Sequence, residues 1–326
     1  MRSGFVSIIG RPNAGKSTLL NMLVGQKLAI VTSKPQTTRN RIQGVVNVSR
    51  QGSRPAGQIV LIDTPGIHKP ANSLNRKMMQ EVYDALEGCD LLLVIVDVTQ
   101  KFGSGDQFVI DLVRRTTSRR GDGNQSTRAF LLLNKIDLID KSKLLPVIQH
   151  YSELFRFDET IPISAAKGDG VDLLLEKVVR ALPTGPQYFP KDQITDQPER
   201  FLVAEIIREK VLTATAEEVP YATTVIVEQW QEEPKLTRIA AVIYCEREGQ
   251  KAIIIGKRGQ MLKKIGTQAR HEIERILATK VFLELFVKVR EHWRDSRGFV
   301  EELDWRKQLE HLGGSARTRT GTADES

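Results

Sequence analysis

The segment Gly10-Arg11-Pro12-Asn13-Ala14-Gly15-Lys16-Ser17 constrains the fold of this chain more than any other stretch of its sequence. An apolar run at residues 5–9 precedes it, and apolar residues with helical spacing follow at 18–23. Between a strand and a helix, G-x-x-x-x-G-K-[ST] predicts a phosphate-binding loop, because backbone N–H groups and the helix N-terminus converge on one anion. The alternative, a Gly-Pro turn before a helix, leaves both flanks unexplained. We expect a nucleoside triphosphate, with Lys16 on its outer phosphates and the Ser17 hydroxyl on Mg²⁺.

The length and composition of the chain allow two domains. It has 326 residues, which is enough for each domain to bury its own core. No apolar run approaches the roughly 18 to 20 residues that cross a bilayer. Cys89 and Cys245 form no metal or redox spacing, so we expect a reduced, cytoplasmic protein. The net charge of +8 favours a polyanionic partner. Because residues 196–326 carry 22 basic and 22 acidic side chains, only local charge can locate a nucleic-acid site there.

A second phosphate-site motif, Asp63-Thr64-Pro65-Gly66, follows a predicted strand at 59–62. That strand is expected to pair as a hairpin with another at 42–48. A carboxylate at the end of an apolar strand can face Mg²⁺ opposite the phosphate loop, and the Gly66 N–H can approach a γ-phosphate without side-chain hindrance. As an isolated tetrapeptide the motif is a common turn. Its order after the phosphate loop makes it informative.

The segment Asn134-Lys135-Ile136-Asp137 predicts which base is bound. It follows an apolar strand at 129–133. The Asp137 carboxylate can accept two parallel hydrogen bonds from guanine, and adenine offers no such pair. A strand at 161–163 runs into Ser164-Ala165, which is expected to close over the guanine from the other side. We therefore expect GTP rather than ATP.

Repeated strand–helix units predict an α/β domain at 1–182 with a mostly parallel sheet and its ligands at the carboxyl ends of the strands. The order G-x-x-x-x-G-K-S, T-T-R, D-T-P-G, N-K-I-D and I-S-A resembles the translation-factor-like P-loop GTPases. By this resemblance Thr38 would bind Mg²⁺ in the GTP state, with Thr37 as the alternative. The resemblance implies that Lys16, Thr38, Asp63 and Gly66 are catalytic and that Ser17, Thr38 and Asp63 hold the metal. The expected nucleotide-binding residues are Gly10, Arg11, Pro12, Asn13, Ala14, Gly15, Lys16, Ser17, Thr18, Asp63, Thr64, Pro65, Gly66, Ile67, Asn134, Lys135, Asp137, Ser164 and Ala165.

Two positions bear on how fast GTP is hydrolysed. Ile67 stands where Ras-like GTPases have a glutamine. Because isoleucine cannot orient water by a hydrogen bond, we expect slow intrinsic turnover. Asn13 resembles a K⁺ ligand of some relatives, where the ion acts as an arginine finger does. An asparagine that only stabilises the loop turn is an equal alternative.

The second half of the chain contains a candidate RNA clamp. Four prolines within 183–198 predict a semi-stiff connector. Beyond it, Gly256-Lys257-Arg258-Gly259 forms a predicted turn between two helices. Such a turn lets a sugar-phosphate backbone approach closely, as in a KH module. Residues 247–270 contain seven basic side chains and one acidic one. The alternative is a basic helix–turn–helix crossing without a ligand.

The helix–strand–strand–helix–helix–strand order of residues 199–292 resembles a type II KH domain, an α+β fold. A GTPase domain, a linker and a type II KH domain in this order resemble the Era family of bacterial GTPases. This resemblance implies binding of the 3′ end of small-subunit (16S) ribosomal RNA and a role in small-subunit assembly and rRNA maturation. It also implies a monomer with peripheral association with the inner membrane. The expected RNA-binding residues are Arg247, Lys251, Ile255, Gly256, Lys257, Arg258, Gly259, Lys263 and Lys264.

Two stretches depart from this family pattern. An arginine-rich stretch at 114–128 is predicted to be a solvated surface insertion, with an extra RNA contact as the alternative. The tail at 313–326 is the second such stretch; residues 293–326 as a whole are predicted to form a C-terminal helix and a disordered tail. The whole chain is interpreted as a GTP-controlled RNA-binding switch. One rival is an RNA-binding scaffold whose GTP site never turns over, and another is a GTPase whose second domain binds protein or membrane.

Overall fold

The computed structural model describes residues 1–52, 54–67, 72–118, 127–216 and 219–307. The chain divides into two compact units. The first unit comprises Met1–Lys69 and Met78–Gln197, and the second comprises Pro70–Lys77 and Pro198–Ser326. Two of the segments discussed above, the centre of the arginine-rich stretch at 119–126 and the tail from 308 onward, lie outside the described residues.

The first unit is an α/β domain with a six-stranded sheet in the order β2-β3-β1-β4-β5-β6. Only β2 is antiparallel to its neighbour. This confirms the predicted fold class and the hairpin of β2 with β3. The strands are β1 (Arg2–Ile9), β2 (Ile42–Val48), β3 (Gly57–Asp63), β4 (Leu91–Asp97), β5 (Arg128–Asn134) and β6 (Glu159–Ile163). The helices are α1 (Lys16–Val24), α2 (Ser73–Leu86), which belongs to this unit from Met78 onward, α3 (Ser104–Ser118), α4 (Leu144–Leu154) and α5 (Val171–Ala181).

Helices cover both faces of this sheet. Side chains of α1 and α5 pack into one apolar cluster with the strands, and those of α2, α3 and α4 pack into a second cluster. Because both faces are buried, the central strands are nearly continuous apolar runs, and every residue of β4 before Asp97 is buried. The five parallel strands end at the same edge of the sheet. The phosphate loop, Asp63 and the segment after Asn134 therefore meet there.

The proline-containing segment at 183–197 lies along β2, which is an edge strand of the sheet. Val45 N–H donates to the Ile194 carbonyl at 2.8 Å, and Thr195 Oγ1 donates to the Gln43 carbonyl at 2.7 Å. Gln58 Nε2 donates to the Phe189 carbonyl at 2.8 Å. These bonds satisfy backbone groups that an edge strand otherwise leaves open to other chains.

The second unit has a three-stranded sheet in the order β7-β8-β9, with β8 antiparallel to β7 and parallel to β9. One face of the sheet packs against helices in a single apolar cluster. Its element order confirms the predicted type II KH arrangement. The elements are α6 (Glu199–Ala214), β7 (Thr224–Glu233), β8 (Leu236–Cys245), α7 (Glu248–Ile255), α8 (Gln260–Leu277), β9 (Lys280–Val289) and α9 (Arg297–Glu302).

Helix α4 is an element that the sequence patterns did not predict. It begins with Leu144-Leu145-Pro146, and a proline usually signals the end of a helix. Pro146 lies in the first turn of α4, where a missing N–H removes no intrahelical hydrogen bond. Across the described residues of both units, none of the helices has the length and apolarity that crossing a membrane requires.

Candidate functional site

The phosphate loop joins the end of β1 to the start of α1. Two of its residues have left-handed backbones, Asn13 at φ 61° and Gly15 at φ 103°. A Cβ atom on Gly15 would collide with Nδ2 of Asn134. Glycine at this position therefore adopts the required backbone conformation and leaves space for the side chain of Asn134, the first residue of the base-recognition segment.

Lys16 lies under the loop and is 5 % exposed. Its Nζ donates to the carbonyls of Gly10 at 3.2 Å and Arg11 at 2.9 Å. Burial lowers the pKa of Lys16 to about 8, partly offset by the charge of Asp63. Burial likewise raises the pKa of Asp63 to about 6, opposed by Lys16 and by hydrogen bonds from neighbouring groups. Each charge lacks solvation, so an anion beside Lys16 and a cation beside Asp63 would stabilise both charged forms.

Three oxygen-bearing side chains meet at the end of β3. Ser17 Oγ donates to Asp63 Oδ2 at 2.6 Å and lies 2.8 Å from Thr38 Oγ1. Asp63 Oδ1 is buried and has no hydrogen-bond partner among the residues that the structure describes. Two hydroxyls and an unsatisfied carboxylate oxygen form the hard oxygen set that Mg²⁺ prefers, so these residues fit that ion.

The two neighbouring threonines differ in what they reach. Thr37 Oγ1 donates to the Lys34 carbonyl at 2.6 Å, away from Asp63. Thr38 is 6 % exposed, and its Oγ1 lies 2.8 Å from Ser17 Oγ, the group that donates to Asp63. The geometry therefore favours Thr38 over Thr37 as the metal-directed residue.

The segment after Asp63 approaches the phosphate loop through its backbone. A Cβ atom on Gly66 would lie 2.8 Å from the Cα and Cγ atoms of Pro12, so only glycine fits there. The side chains of two other predicted nucleotide-binding residues point elsewhere. Thr64 Oγ1 donates to the Ile8 carbonyl at 2.8 Å, and Ile67 is 1 % exposed within the apolar core.

The predicted base-binding residues come together at the ends of β5 and β6. Asn134 bridges two loops, because its Nδ2 donates to the Ala14 carbonyl at 2.8 Å and its Oδ1 accepts from the Ala165 N–H at 2.9 Å. Ser164 Oγ donates to Asp137 Oδ1 at 2.7 Å. The Asp137 carboxylate is thereby oriented before any base binds.

Two further residues belong to this site and were missed at the sequence level. Asp97 ends β4, and its Oδ2 lies 2.6 Å from Nζ of Lys135. An acid after an apolar strand was a usable signal, the same one that identified Asp63. The Ser33 carbonyl accepts a hydrogen bond from Asn13 Nδ2 at 2.8 Å. No local pattern marks Ser33, because it acts through its backbone.

The G-x-x-G turn connects α7 to α8 as expected. Gly256 and Gly259 have φ values of 71° and 76°, and Arg258 between them has φ 51°. A Cβ atom on Gly256 would lie 2.6 Å from Cβ of Met261. The side chains of Lys257 and Arg258 are exposed at the tip. A narrow, positively charged turn of this kind can receive a phosphate backbone.

The other predicted RNA-binding residues divide between the two ends of α7. Lys263 and Lys264 are exposed in the first turns of α8, next to the G-x-x-G turn, and Ile255 beside it is half-buried. Arg247 and Lys251 lie at the opposite end of α7, and Lys251 is 3.6 Å from Glu248. The structure thus places Lys263 and Lys264 close to the turn and the other two basic residues further away.

Comparisons with known proteins agree with this arrangement. A family described as 50S ribosome-binding GTPase matches residues 5–135, and the KH domain family matches 218–294. GTPase Era of Geobacter metallireducens is 52% identical over 306 residues, which covers 93% of this chain and 98% of that protein. This chain belongs to the GTPase Era family. GTPase Era of Ruminiclostridium cellulolyticum is 48% identical over 306 residues, which covers 94% of this chain and 98% of that protein.

Two solved Era structures are similar over the same extent. Era of Aquifex aeolicus bound to GDP and AlF4⁻ has 38% sequence identity and a TM-score of 0.83, with 92% of this chain and 98% of that chain covered. Era in complex with MgGDPNP and nucleotides 1506–1542 of 16S ribosomal RNA has 39% identity, a TM-score of 0.84 and the same coverage. The match to Era therefore spans both units rather than the GTPase part alone.

Proposed function

We propose that this Era family member is a Mg²⁺-dependent GTPase switch that binds the 3′ end of 16S ribosomal RNA during small-subunit assembly and rRNA maturation. The observation that carries the proposal is the unsatisfied Asp63 oxygen beside Ser17 and Thr38, next to the buried Lys16. A relative solved with MgGDPNP and a 16S rRNA segment supports the pairing of the two ligands.

In this proposal each residue of the phosphate site has a separate task. Lys16 leaves the carbonyls of Gly10 and Arg11 and binds the outer phosphates, whose charge keeps it protonated. Ser17, Thr38 and Asp63 hold Mg²⁺, which when bound neutralises phosphate charge. Gly66 brings its N–H to the γ-phosphate position. The γ-phosphate and Mg²⁺ would add contacts to Thr38 and Gly66 that the GDP state lacks, so hydrolysis would weaken the hold on both segments.

Guanine recognition is assigned to Asp137, with Ser164 and Asn134 as its supports. The Ser164 hydroxyl fixes one carboxylate oxygen, and Asn134 ties the base-side loop to the phosphate loop. Ala165 closes the loop over the base. A base other than guanine would leave the Asp137 oxygens buried without hydrogen-bond donors. The free-energy cost of these unpaired acceptors is far larger than the free energy that one contact contributes.

Hydrolysis is proposed to be slow without a partner. The Ile67 side chain lies in the apolar core, so it neither orients water nor reaches a phosphate. Water would be held by backbone groups, by ordered water or by a partner. Asn13 is the candidate K⁺ ligand, and its bond to Ser33 supports the loop-stabilising alternative equally. Equal rates in KCl and NaCl would refute the potassium role.

RNA binding is assigned to the KH unit. Gly256 and Gly259 admit the sugar-phosphate backbone, and Lys257, Arg258, Lys263 and Lys264 supply positive charge.

The proposed domains are residues 1–182 for GTP, 183–198 as linker, 199–292 for RNA, and 293–326 as a C-terminal helix and tail. A monomeric, cytoplasmic protein in peripheral contact with the inner membrane is proposed on the family resemblance. Flotation with vesicles of inner-membrane lipid tests the membrane contact.

The decisive experiment measures both ligands on the full-length protein. Competition between GTP and ATP is expected to favour GTP, and a labelled 16S 3′-end RNA is expected to bind differently in the GDP and GDPNP forms. Gly256→Asp should abolish RNA binding and leave GTP affinity unchanged. Gly298→Asp is the matched control, because Gly298 is exposed with no atom within 4 Å of an added Cβ and lies outside the expected RNA-binding residues. A preference for ATP, or no RNA binding in either state, would refute the proposal.

A further inference from the structure

A buried carboxylate beside the phosphate loop has no role in the site as described so far. Asp106 stands in the first turn of α3 and is 6 % exposed. Its Oδ2 lies 2.7 Å from Nη1 of Arg11, a residue of the loop itself. The same oxygen accepts a hydrogen bond from the Gly103 N–H at 2.9 Å. One carboxylate therefore joins the phosphate loop to the start of a helix more than ninety residues later in the chain.

A third side chain completes this network. Tyr151 of α4 is 3 % exposed and borders the same cavity as Asp106 and Arg11. Burial together with the charge of Asp106 raises the pKa of Tyr151, so its hydroxyl stays protonated and remains a donor. The Asp106 carboxylate thus receives one charged donor from the phosphate loop and one neutral donor from the start of α3, with the Tyr151 side chain close by. A buried carboxylate bonded in this way holds its partners in one geometry.

The surroundings leave room for the Arg11 side chain in this position. A Cβ atom on Gly105 would lie 3.2 Å from Nε and 3.3 Å from Cδ of Arg11, so the arginine side chain packs closely against this glycine. Arg11, Asp106 and Tyr151 all border a cavity of about 380 Å³ beside the loop. The guanidinium is therefore seated in a formed recess, and only 37 % of the side chain is exposed.

The backbone of Arg11 leads directly to the phosphate-binding groups. Its carbonyl accepts the hydrogen bond from Lys16 Nζ at 2.9 Å. Pro12, the next residue, is the one against which Gly66 packs. A shift of Arg11 would therefore displace the lysine partner and the surface that receives Gly66 together.

We propose that Arg11, Asp106 and Tyr151 are positioning residues that hold the phosphate loop in its nucleotide-binding shape before the nucleotide arrives. The inference rests on the proposed function, because it assumes that this loop binds the phosphates of GTP. The competing explanation is that Asp106 only caps α3 and adds to stability. That explanation leaves the loop itself unaffected when the carboxylate is changed.

The test uses the full-length protein with three single variants and one double variant. Arg11→Ala removes the guanidinium, Asp106→Asn keeps the cap acceptor but loses the charge, and Tyr151→Phe removes only the hydroxyl. Asp111→Asn is the control, because Asp111 lies on the same helix in an exposed ion pair with Arg114 at 3.4 Å. Hydrogen exchange of amides 13–17 is measured without nucleotide, and the release rate of fluorescent GDP is measured with Mg²⁺.

We expect Arg11→Ala and Asp106→Asn each to release GDP about tenfold faster than wild type, the effect of one charge-assisted hydrogen bond. In both variants the amide hydrogens of residues 13–17 should exchange faster than in wild type when no nucleotide is bound. Tyr151→Phe should increase the exchange and release rates by a smaller factor. The double variant Arg11→Ala/Asp106→Asn should match the singles, because both remove the same bond. Asp111→Asn should behave as wild type.

The positioning role would be overturned if the exchange and release rates of the three single variants stayed within twofold of those of the Asp111→Asn control while their melting temperatures fell. A wild type that binds no GDP would refute the proposed function instead, while exchange without nucleotide would still test the network. If Arg11→Ala fails to fold, Arg11→Lys replaces it, since lysine keeps the charge but lacks the guanidinium geometry. Unchanged exchange in that variant and in Asp106→Asn would count against the inference.

Discussion

Ser17 Oγ donates a hydrogen bond of 2.6 Å to Asp63 Oδ2, joining the first turn of α1 to the end of β3. The bond spans 46 residues of sequence and leaves the second carboxylate oxygen buried without a partner among the described residues. A hydroxyl that donates to a carboxylate in this way can turn both oxygens toward a cation. Most of the expected chemistry of the first unit depends on this pair.

Replacing Ser17 by alanine should weaken GTP binding in Mg²⁺ by about tenfold to a hundredfold, because one oxygen ligand is lost. The same variant should bind GTP about as well as wild type in excess EDTA. Fluorescence titration with a labelled GTP, with and without Mg²⁺, measures both values. Ser152→Ala is the matched control, since this exposed serine donates its hydroxyl to the Ile148 carbonyl within α4, away from the site. A loss of equal size with and without Mg²⁺ would contradict the metal role.

Replacing Asp137 by asparagine should reduce GTP affinity by about 10²-fold or more, because an amide donor then faces the donors of guanine. Xanthine carries an acceptor where guanine has its exocyclic amine, so affinity for xanthosine triphosphate should rise. Competition titrations of the two nucleotides measure the change in preference. Asp140→Asn is the control, as that side chain is 82 % exposed. Unchanged preference in Asp137→Asn would exclude this residue from base recognition.

The stability of the nucleotide-free protein should depend on pH through Asp63. Burial raises its pKa from 3.8 to about 6. As the pH rises, the unfolded chain therefore loses the Asp63 proton at a lower pH than the folded protein does. The stability that the protonated group contributes below pH 4 is lost as the pH rises through 6. Asp63→Asn cannot ionise. The unfolding free energy of Asp63→Asn minus that of wild type should therefore increase by about 2 kcal/mol between pH 4 and pH 7.

Urea unfolding at several pH values without nucleotide or Mg²⁺ measures this difference. Asp111→Asn, on an exposed part of α3, should show no such trend. Lys16 titrates above this window, at about 8, so it stays mostly charged throughout. A constant difference between wild type and Asp63→Asn would mean that the folded protein ionises Asp63 as readily as the unfolded chain does.

The salt dependence of RNA binding should report the two basic residues of the G-x-x-G turn. If Lys257 and Arg258 each neutralise one phosphate, each alanine variant should reduce the slope of log K against log[salt] by about 0.7. Titrations of a single-stranded 16S 3′-end RNA at several KCl concentrations measure the slope. Arg297→Ala is the control, because its side chain is 89 % exposed and pairs only with Glu301 among described residues. Equal slopes in all variants would place the RNA elsewhere.

The parts of the site that could be predicted are those whose signal is local. The phosphate loop, Asp63 and Asn134 each follow an apolar strand, and parallel strands bring their ends together. The same rule would have found Asp97. Asp106 and Tyr151 could not be predicted, because their meeting with Arg11 depends on how α3 and α4 pack on the sheet.

Conformational detail was also beyond the sequence. Thr37 and Thr38 are chemically identical neighbours, and only the fold decides that Thr38 faces Ser17. Ile67 carried no sign that its side chain would be buried, since it follows a glycine in a polar segment. The prolines in 183–198 predicted a semi-stiff connector, yet the position of residues 183–197 along β2 follows from tertiary packing.

That position changes where the GTP-binding half could be cut from the rest. A fragment ending at Leu182 would strip residues 183–197 from β2, leaving bare amides and carbonyls that invite strand pairing between molecules. A fragment ending at Gln197 would keep the sheet margin covered by its own chain. Solubility trials of the two truncations should separate them, with the shorter one aggregating at concentrations where the longer one stays dispersed.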